Sequence, residues 1–407
     1  MNRLPDPRCK EQSVYAQAHL LWLGILLFLM HLGSRRQMRF ERLADAFIHN
    51  LATLCGQVDV DTVADPDTLA YYAERVPVGA VEKLLARITT CLIRSKALDP
   101  FRLLSHFPVA IDGSQICTFD HEPWPGCPHR QLSDGSTQYF AYVLDAKLLT
   151  PWGMALSLAT EMLTNEGHKD FDKQDCELKA FPRLVDKLYA LFPRTPLCLL
   201  LDGLYATQNV IALIEAKRWK YIITFKEGSM PERFPEARTL ARLQKNNRLQ
   251  VRQPHAVQQF SWADQLPIAM FEPNVLFCYE QAHDGSTRQF VWMTNFHLCR
   301  NNVENIANNG GRLRWKIENE GFNVQKNNGY EMQHPYSEHA NGFRVFYLLL
   351  LMAHYIAQLI LHGNLIQSLC KTFGSAKNFA RRLAESMRNH WLPADLALPG
   401  QIRFQPP

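Results

Sequence analysis

The chain has 407 residues, of which 47% are hydrophobic and 20% are charged, so it has enough material for two or three domains with a buried core. Its 44 basic and 39 acidic residues give a formal charge of +5, which permits a polyanionic partner without requiring one. The 10 cysteines lie singly along a chain too long to need a disulfide framework, which excludes a small disulfide-stabilised secreted domain and predicts a cytoplasmic protein.

The first part of the chain, residues 1–105, has the apolar spacing of helices. Apolar side chains recur every three or four residues in 40–54 and 81–92. Asp65 and Pro66 provide a typical helix start, with a capping side chain followed by proline in the first turn. The sequence therefore predicts an N-terminal helical domain, which acts either as a scaffold or as a binding module.

Two uninterrupted apolar runs, residues 20–30 and 345–353, are candidates for membrane segments. They contain 11 and nine residues, whereas a helix that crosses a membrane needs about 20. We therefore expect both runs to form buried core helices, and we expect no contact with a membrane.

The pattern changes to strands at Phe107. Strand-like runs begin at residues 107, 138 and 152, and they are followed by a helix at 175–192, a strand at 196–203, a helix at 207–217 and a strand at 219–226. Continuous apolar strands that alternate with helices are buried on both faces of a sheet. The order β-β-β-α-β-α-β therefore predicts an α/β fold with a mixed sheet over residues 106–228.

Four Asp-Gly pairs begin at Asp112, Asp134, Asp202 and Asp284, and such a pair usually marks a tight turn. Asp284 lies between two strand patterns and Asp134 lies in a polar loop, so both are assigned to turns. Asp112 and Asp202 differ, because each is predicted to end an apolar strand. An acidic residue is costly at such a position unless it binds something.

Two neighbouring carboxylates at one sheet edge would repel each other unless a cation compensated their charge. Mg²⁺ prefers oxygen ligands and keeps several waters, so Asp112, Asp202 and one further carboxylate would suit it. A pair of ordinary turns is the alternative.

Three further clusters carry weaker signals. The acidic segment 166–178 is interpreted as a capped helix start. The spacings of Cys117, His121, Cys127 and His129 match no standard zinc finger. Basic residues near the start of the β-rich segment 229–300 suit phosphate contacts, or are a solvated charge run: Arg242, Lys245, Arg248 and Arg252. Within this segment, residues 251–262 read as a strand.

A third acidic candidate lies beyond that segment. Arg314 and Glu318 are one helical turn apart, so an α-helix would present both to the same surface, although an exposed ion pair is the alternative. Glu320 is a rival, but it would point to nearly the opposite face of the helix. Glu318 is favoured by the apolar residues that set the packing of the helix: Trp315, Ile317 and Phe322.

Residues 311–330 resemble the signature of bacterial insertion-sequence transposases of the IS-four type, in which Tyr, Arg, Glu and Lys follow at spacings of two, three and six. Arg314 and Glu318 match that pattern. Gly311 stands at the tyrosine position, and Lys326 lies one residue beyond the lysine position, which Gln325 occupies. The strand order and the acidic positions also resemble the RNase H-like core of DDE transposases. The likeness covers residues 40–365.

This resemblance implies a DNA transposase that cleaves and transfers strands at the ends of an insertion sequence. Asp112, Asp202 and Glu318 would be catalytic and would hold two Mg²⁺ ions, with Mn²⁺ as an alternative. Arg314, Trp315 and Lys326 would contact DNA, and a β-rich insertion would interrupt the core before the glutamate. The alternatives are a catalytically inactive transposase-derived DNA-binding protein and a stand-alone metal-dependent nuclease.

The partners implied are terminal inverted repeats and target DNA, bound by a homodimer in the cytoplasm of a bacterium, associated with the nucleoid. The predicted organisation is an N-terminal helical domain, a first core part, a β-rich insertion, the last core helices with the glutamate, and a C-terminal helical tail. Their ranges are 1–105, 106–228, 229–300, 301–365 and 366–407. The tail would carry four basic residues along a helix: Lys377, Arg381, Arg382 and Arg388.

Overall fold

The computed structural model describes residues 1, 4–9, 11, 13–57, 60–165, 174–364, 372–393 and 401–404. In this part of the chain, ten strands form one large mixed sheet with helices packed on it, which confirms an α/β protein. The strands are β1 (Phe107–Phe119), β2 (His129–Gln131), β3 (Thr137–Leu149), β4 (Ala155–Met162), β5 (Leu197–Leu201), β6 (Lys220–Thr224), β7 (Arg248–Arg252), β8 (Ala256–Ala263), β9 (Asn274–Ala282) and β10 (Thr287–Thr294).

The helices include both α-helices and shorter forms. The α-helices are α1 (Gln17–Leu29), α2 (Met38–Glu41), α3 (Asp45–Cys55), α4 (Pro66–Ala73), α5 (Val78–Arg94), α6 (Glu177–Leu191), α7 (Gln208–Ala216), α8 (Arg233–Leu243), α9 (Val303–Asn308), α10 (Asn323–Asn327), α11 (Ala340–His362) and α12 (Ala376–Asn389). Among the described residues, four 3₁₀ helices occupy Arg35–Gln37, Asp99–Phe101, Gly203–Tyr205 and Gly311–Trp315, and a π-helix occupies Ile317–Phe322.

The strands lie in the order β2-β3-β1-β5-β6-β10-β9-β8-β7, and β4 pairs with β3. Strand β3 pairs antiparallel with both β1 and β4, whereas β1, β5 and β6 run parallel to one another. Strand β10 then pairs antiparallel with β6. The strands of the predicted insertion therefore extend the core sheet instead of forming a separate one.

Two residues in the middle of strand β3 show that helices lie on both faces of the sheet. The Tyr347 hydroxyl of α11 donates to the Asp145 carboxylate, while the Tyr142 hydroxyl donates to Glu177, the first residue of α6. Side chains an odd number of residues apart on a strand point to opposite faces. Helices α11 and α6 therefore contact β3 on opposite faces of the sheet.

The predicted strands and helices of residues 106–228 are confirmed, with one addition. The short strand β2 at His129–Gln131 was not predicted, and it pairs with the beginning of β3. Three residues of polar character carry little strand signal, and their pairing depends on a partner strand. The order β-β-β-α-β-α-β is therefore incomplete by one strand.

The segment 229–300 contains four strands, as its β-rich pattern suggested, together with helix α8. The hairpin around Asp284 is confirmed, because β9 and β10 pair across a turn in which Gly285 has a φ of 86°. The single strand predicted at 251–262 is wrong. The chain turns at Pro254, and the Gln253 N–H donates to the Ala256 carbonyl, so that β7 and β8 form a hairpin.

The two apolar runs form α1 and α11, and both are buried in the protein as predicted. They pack closely, since a Cβ atom on Gly24 would lie 2.6 Å from the Leu349 side chain. Helix α11 is long and apolar enough to cross a membrane, with a mean hydropathy of 1.8, but 78% of its most apolar window is buried inside the protein. Burial of this kind is found in the core helices of soluble proteins.

Three other helix predictions concern the termini of elements. Helix α4 begins at Pro66 with Asp65 as its cap, as predicted, because the Asp65 carboxylate accepts from the Asp67 N–H. In the acidic segment 166–178, residues 166–173 lie outside the described residues, and α6 begins at Glu177. The predicted basic helix of the C-terminal tail is α12.

Candidate active site

The two aspartates lie side by side on parallel strands. In the β1–β5 pairing Ala110 is opposite Leu200, so Asp112 and Asp202, each two residues further along, lie at one level. Side chains two residues apart on a strand share a face, so both carboxylates are on the face of Ala110 and Leu200. The sheet topology therefore brings the two predicted residues together.

The prediction that Asp112 ends its strand is wrong. Strand β1 continues to Phe119, and beyond Asp112 it pairs with β3, where Gly113 is opposite Leu144 and Phe119 is opposite Tyr139. What ends near Asp112 is the parallel pairing with β5. Asp202, in contrast, directly follows β5, and its carboxylate accepts from the Leu204 N–H at 2.9 Å.

Arg314 joins Asp112 to Glu318. Its Nη1 donates to Asp112 Oδ2 at 3.3 Å, and its Nη2 lies 3.7 Å from Glu318 Oε1. The Arg314 and Asp112 side chains are 12% and 15% exposed, whereas Glu318 is 50% exposed. One guanidinium is thus shared by two of the three predicted carboxylates.

The prediction that Arg314 and Glu318 lie on one α-helix is wrong in helix type. Arg314 belongs to the 3₁₀ helix Gly311–Trp315, and Glu318 to the π-helix Ile317–Phe322. Each of these two helices contains a glycine that is tightly packed against a neighbouring side chain. A Cβ atom on Gly311 would overlap the Trp292 indole, so a tyrosine does not fit there, and one on Gly321 would lie 3.1 Å from the Lys147 side chain.

The rival acid Glu320 has different neighbours. Its Oε1 lies 3.6 Å from Lys316 Nζ, and its carboxylate faces Gly153 rather than Asp112. Its charge also raises the pKa of His362, a smaller effect than the lowering of that pKa by burial. Glu318 and Glu320 therefore belong to separate charge clusters.

Asp112 has an altered acidity. Burial raises its pKa from 3.8 to about 7, and the negative charges of Glu318 and Glu177 act in the same direction. The Arg314 guanidinium and the Gly113 N–H, which donates to Asp112 Oδ1 at 3.0 Å, lower the pKa but do not offset the burial. Burial therefore outweighs the arginine, and the Asp112 carboxyl holds its proton to a higher pH than an exposed aspartate does.

Glu177 is a neighbour of this site that the sequence did not assign. Its Oε1 accepts from the Tyr142 hydroxyl at 2.5 Å, and its Oε2 accepts from the Tyr205 hydroxyl at 2.9 Å. It packs so tightly against Gly113 that a Cβ atom there would overlap its carboxylate. The only local signal was its position at a helix start, since both tyrosines are distant in sequence.

The other two predicted DNA-contacting residues lie near Glu318 in sequence. Trp315 is 62% exposed, which is unusual for so large an apolar side chain. Lys326, in α10, is half-buried, and burial lowers its pKa. Its neighbour Gln325 is fully buried and bonds to the His354 ring at 3.0 Å, so Gln325 cannot serve as a surface contact.

The donor set of the site suits a hard divalent cation. Asp112, Asp202 and Glu318 offer only carboxylate oxygens, which are the ligands that such a cation prefers. Within the described ranges, no group of three or more His, Cys, Asp or Glu side chains is already arranged to hold an ion. The Arg314 guanidinium lies between Asp112 and Glu318, where it separates two of the three carboxylates.

A search of protein-family models and a search of curated proteins found no match to the chain.

A basic groove lies on the extension of the sheet. It has a volume of about 690 Å³ and is lined by α8 and by strands β7 to β10. Its charged residues are Arg238, Arg242 and Arg248, all exposed, and no acidic residue lines it. Two of the predicted basic residues, Arg242 and Arg248, are thus brought together, and across the described part of the chain neither forms an ion pair. Such a surface suits a polyanion.

Proposed function

We propose that the protein is a DNA transposase that cleaves and joins strands at the ends of an insertion sequence, with Asp112, Asp202 and Glu318 as its catalytic carboxylates. The observation that carries the proposal is the set of contacts around Asp112, where the parallel pairing of β1 with β5 ends. Asp112 and Asp202 lie at the same level on two adjacent parallel strands. Arg314, which is 202 residues from Asp112 in sequence, contacts both Asp112 and Glu318.

The strand order supports an RNase H-like core for this enzyme. Reading β4, β3, β1, β5 and β6 across the sheet gives three antiparallel strands followed by two that are parallel to β1. The first aspartate lies on the central strand and the second follows its parallel neighbour. The chain between β6 and the π-helix adds β7 to β10 to the same sheet, in the place where the resemblance expects an insertion.

The three carboxylates would hold two Mg²⁺ ions, with Mn²⁺ as an alternative. When bound, such ions supply the Lewis acidity that in-line phosphoryl transfer requires. The residues of the chain then have separate roles: the aspartates fix the site on rigid strands, while half-exposed Glu318 closes it from the surface side. Arg314, once its carboxylates have another cation, is able to donate to a DNA phosphate through two N–H groups.

The DNA would contact both the site and the sheet extension. Trp315 and Lys326 lie near Glu318 in sequence, and the basic groove offers exposed guanidinium groups that suit phosphates. We propose terminal inverted repeats and target DNA as the substrates, and a homodimer as the form that holds two ends. A cytoplasmic, nucleoid-associated location in a bacterium follows from this function.

The test is an assay that separates cleavage from joining. Purified protein would be incubated with Mg²⁺, a labelled duplex taken from the DNA that flanks the gene, and a supercoiled target plasmid. A transposase gives specific cleavage at the end and labelled plasmid. Cleavage without labelled plasmid would indicate a stand-alone nuclease, and specific binding without cleavage would indicate an inactive DNA-binding derivative. A scrambled duplex is the control for sequence specificity.

A further inference from the structure

A buried ion pair lies on β3, the strand next to the one that carries Asp112. Asp145 and Lys147, on β3, are 0% exposed, and Lys147 Nζ lies 2.6 Å from Asp145 Oδ2. Lys147 Nζ also donates to the Ser157 hydroxyl of β4 at 3.0 Å, and the Tyr347 hydroxyl of α11 donates to Asp145 Oδ2 at 2.7 Å. One pair of charges therefore connects two strands and a core helix.

Stability alone does not account for this pair. Removing two charges from water is costly, and well-packed apolar side chains of similar volume often replace such a pair without loss of stability. The pair also leaves Asp145 Oδ1 buried without a hydrogen-bond partner in the part of the chain that is described. A buried pair with this cost requires a second reason, which its neighbours provide.

The first neighbour is the strand that carries Asp112. In the antiparallel pairing of β1 and β3, Asp112 is directly opposite Asp145, and Ala110 is directly opposite Lys147. Side chains that are directly opposite on adjacent strands share a face and lie about 5 Å apart at their Cβ atoms. Asp145 is thus the closest cross-strand neighbour of the first catalytic candidate.

The second neighbour is the π-helix that carries Glu318. The Lys147 stem packs against Gly321, where an added Cβ atom would lie 3.1 Å from both Lys147 Cδ and Cε, and the ammonium lies 5.0 Å from the centre of the Phe322 ring. The same helix also contacts β1, β3 and β4. A π-helix is an unusual, wider turn that needs specific packing to persist.

We infer that Lys147 is a positioning residue for Glu318: it is held by Asp145, the cross-strand neighbour of Asp112, and its stem packs against the π-helix that carries Glu318. This role rests on the proposed function, because it concerns the same carboxylate site. Lys147 touches neither the substrate nor the ions. It acts by fixing the distance between two elements that are far apart in sequence.

The experiment removes the pair without leaving an unpaired charge. The variant Asp145→Leu/Lys147→Met/Tyr347→Phe replaces both charges and the hydroxyl that bonds to them by apolar groups. Its control is Glu41→Leu/Arg388→Met, which removes another pair with a buried carboxylate, in which Arg388 Nε donates to Glu41 Oε2 at 2.6 Å. Folding is followed by circular dichroism, and Mn²⁺ binding is measured by electron paramagnetic resonance without DNA.

We expect the triple variant to fold and to bind Mn²⁺ roughly 10 to 100 times more weakly than the wild type, as for other residues that orient metal ligands, while the control variant keeps wild-type affinity. Gly321→Ala is the second variant. It leaves the pair intact but presses on the Lys147 stem, so it should weaken Mn²⁺ binding in the same direction by a smaller factor. It decides the question alone if the triple variant does not fold.

Unchanged Mn²⁺ affinity in the folded triple variant, or in Gly321→Ala when only that variant folds, would overturn the positioning role. The two proposals fail in distinguishable ways. Wild-type protein that binds Mn²⁺ but cleaves no end DNA contradicts the transposase while the role of Lys147 is still measured by affinity. Wild-type protein that binds no Mn²⁺ overturns both.

Discussion

Asp112 and Asp145 are directly opposite each other on β1 and β3, yet their surroundings differ. Asp145 is fully buried, with the Lys147 ammonium at 2.6 Å and the Tyr347 hydroxyl at 2.7 Å. Asp112 is 15% exposed and shares one guanidinium with Glu318. A carboxylate with its own cation belongs to the framework, whereas one that shares a cation at the surface is available to a cation from solution.

The largest expected effect concerns the three carboxylates of the candidate site, to which Asp112 belongs. If the proposed function holds, Asp112→Ala, Asp202→Ala and Glu318→Ala should each lower metal-dependent strand cleavage by roughly 1,000-fold or more, because each would remove a ligand of the proposed ions. Circular dichroism should show an unchanged fold. Glu320→Ala is the control and should cleave normally. Full cleavage in any of the three variants would remove that residue from the site.

The second prediction compares the two cations. Lys147→Met leaves the Asp145 charge buried and unpaired, so the free energy of unfolding should fall by about 3–5 kcal/mol. Arg314→Met leaves Glu318 half-exposed and leaves Asp112 with a raised pKa, so that a proton can neutralise it and the fall should be smaller, about 1 kcal/mol. Urea denaturation at neutral pH measures both values. Equal losses in the two variants would contradict the distinction between framework and site.

The third prediction uses the raised pKa of Asp112. In the folded protein this carboxyl keeps its proton to about pH 7, whereas in the unfolded chain it loses the proton near its ordinary pKa of 3.8. The stability that it contributes is therefore complete below about pH 4 and is lost as the pH rises through about 7. Asp112→Asn should remove this loss.

Urea denaturation in the presence of a chelator, at pH 4.5 and at pH 8, provides the measurement. Relative to the wild type, Asp112→Asn should gain on the order of 2 kcal/mol between these two values, because the asparagine cannot ionise. Asp134→Asn is the matched control, since Asp134 lies in an exposed turn, where its carboxylate accepts from the Ser136 N–H. A gain that does not depend on pH would show that Asp112 is ionised throughout.

The smallest expected effect concerns the basic groove. Arg242→Ala/Arg248→Ala should reduce the slope of log K against log salt for end DNA by about 0.9 for each phosphate contact that is lost. Fluorescence anisotropy at several salt concentrations measures the slope. Arg87→Ala/Arg94→Ala, which removes two exposed arginines of α5, is the control. The same slope in both variants would exclude the groove from the DNA-binding surface.

The part of the site that was predictable from the sequence depends on local patterns. Asp202 follows five buried apolar residues and begins an Asp-Gly pair, and it lies directly after the strand, where that pattern placed it. Asp112 was expected at a strand end because Gly113 and Ser114 break the apolar run. The strand continues there because β3 supplies hydrogen bonds, and a partner strand cannot be deduced from one run of residues.

Other features arise only from distant contacts. Glu177 bonds to Tyr142 and Tyr205, which are 35 and 28 residues away, so no local pattern could identify it as a neighbour of Asp112. Helix α8 lies between β6 and β7, inside a segment that the sequence predicted to be β-rich. The strand patterns on both sides of this helix dominated that prediction. Local sequence patterns therefore predict most of the helices and strands, whereas tertiary packing determines which side chains come into contact.

The π-helix at Ile317–Phe322 changes how residue spacings after Glu318 should be counted. A π turn holds about one residue more than an α turn, so each position that follows is rotated by roughly 100°. Lys326, eight residues after Glu318, therefore takes the face that a residue seven positions later takes in an uninterrupted α-helix. Buried Gln325 occupies the inner face instead. Signatures defined by fixed spacing overlook such an equivalence, because helix type and residue count together determine which side chains share a surface.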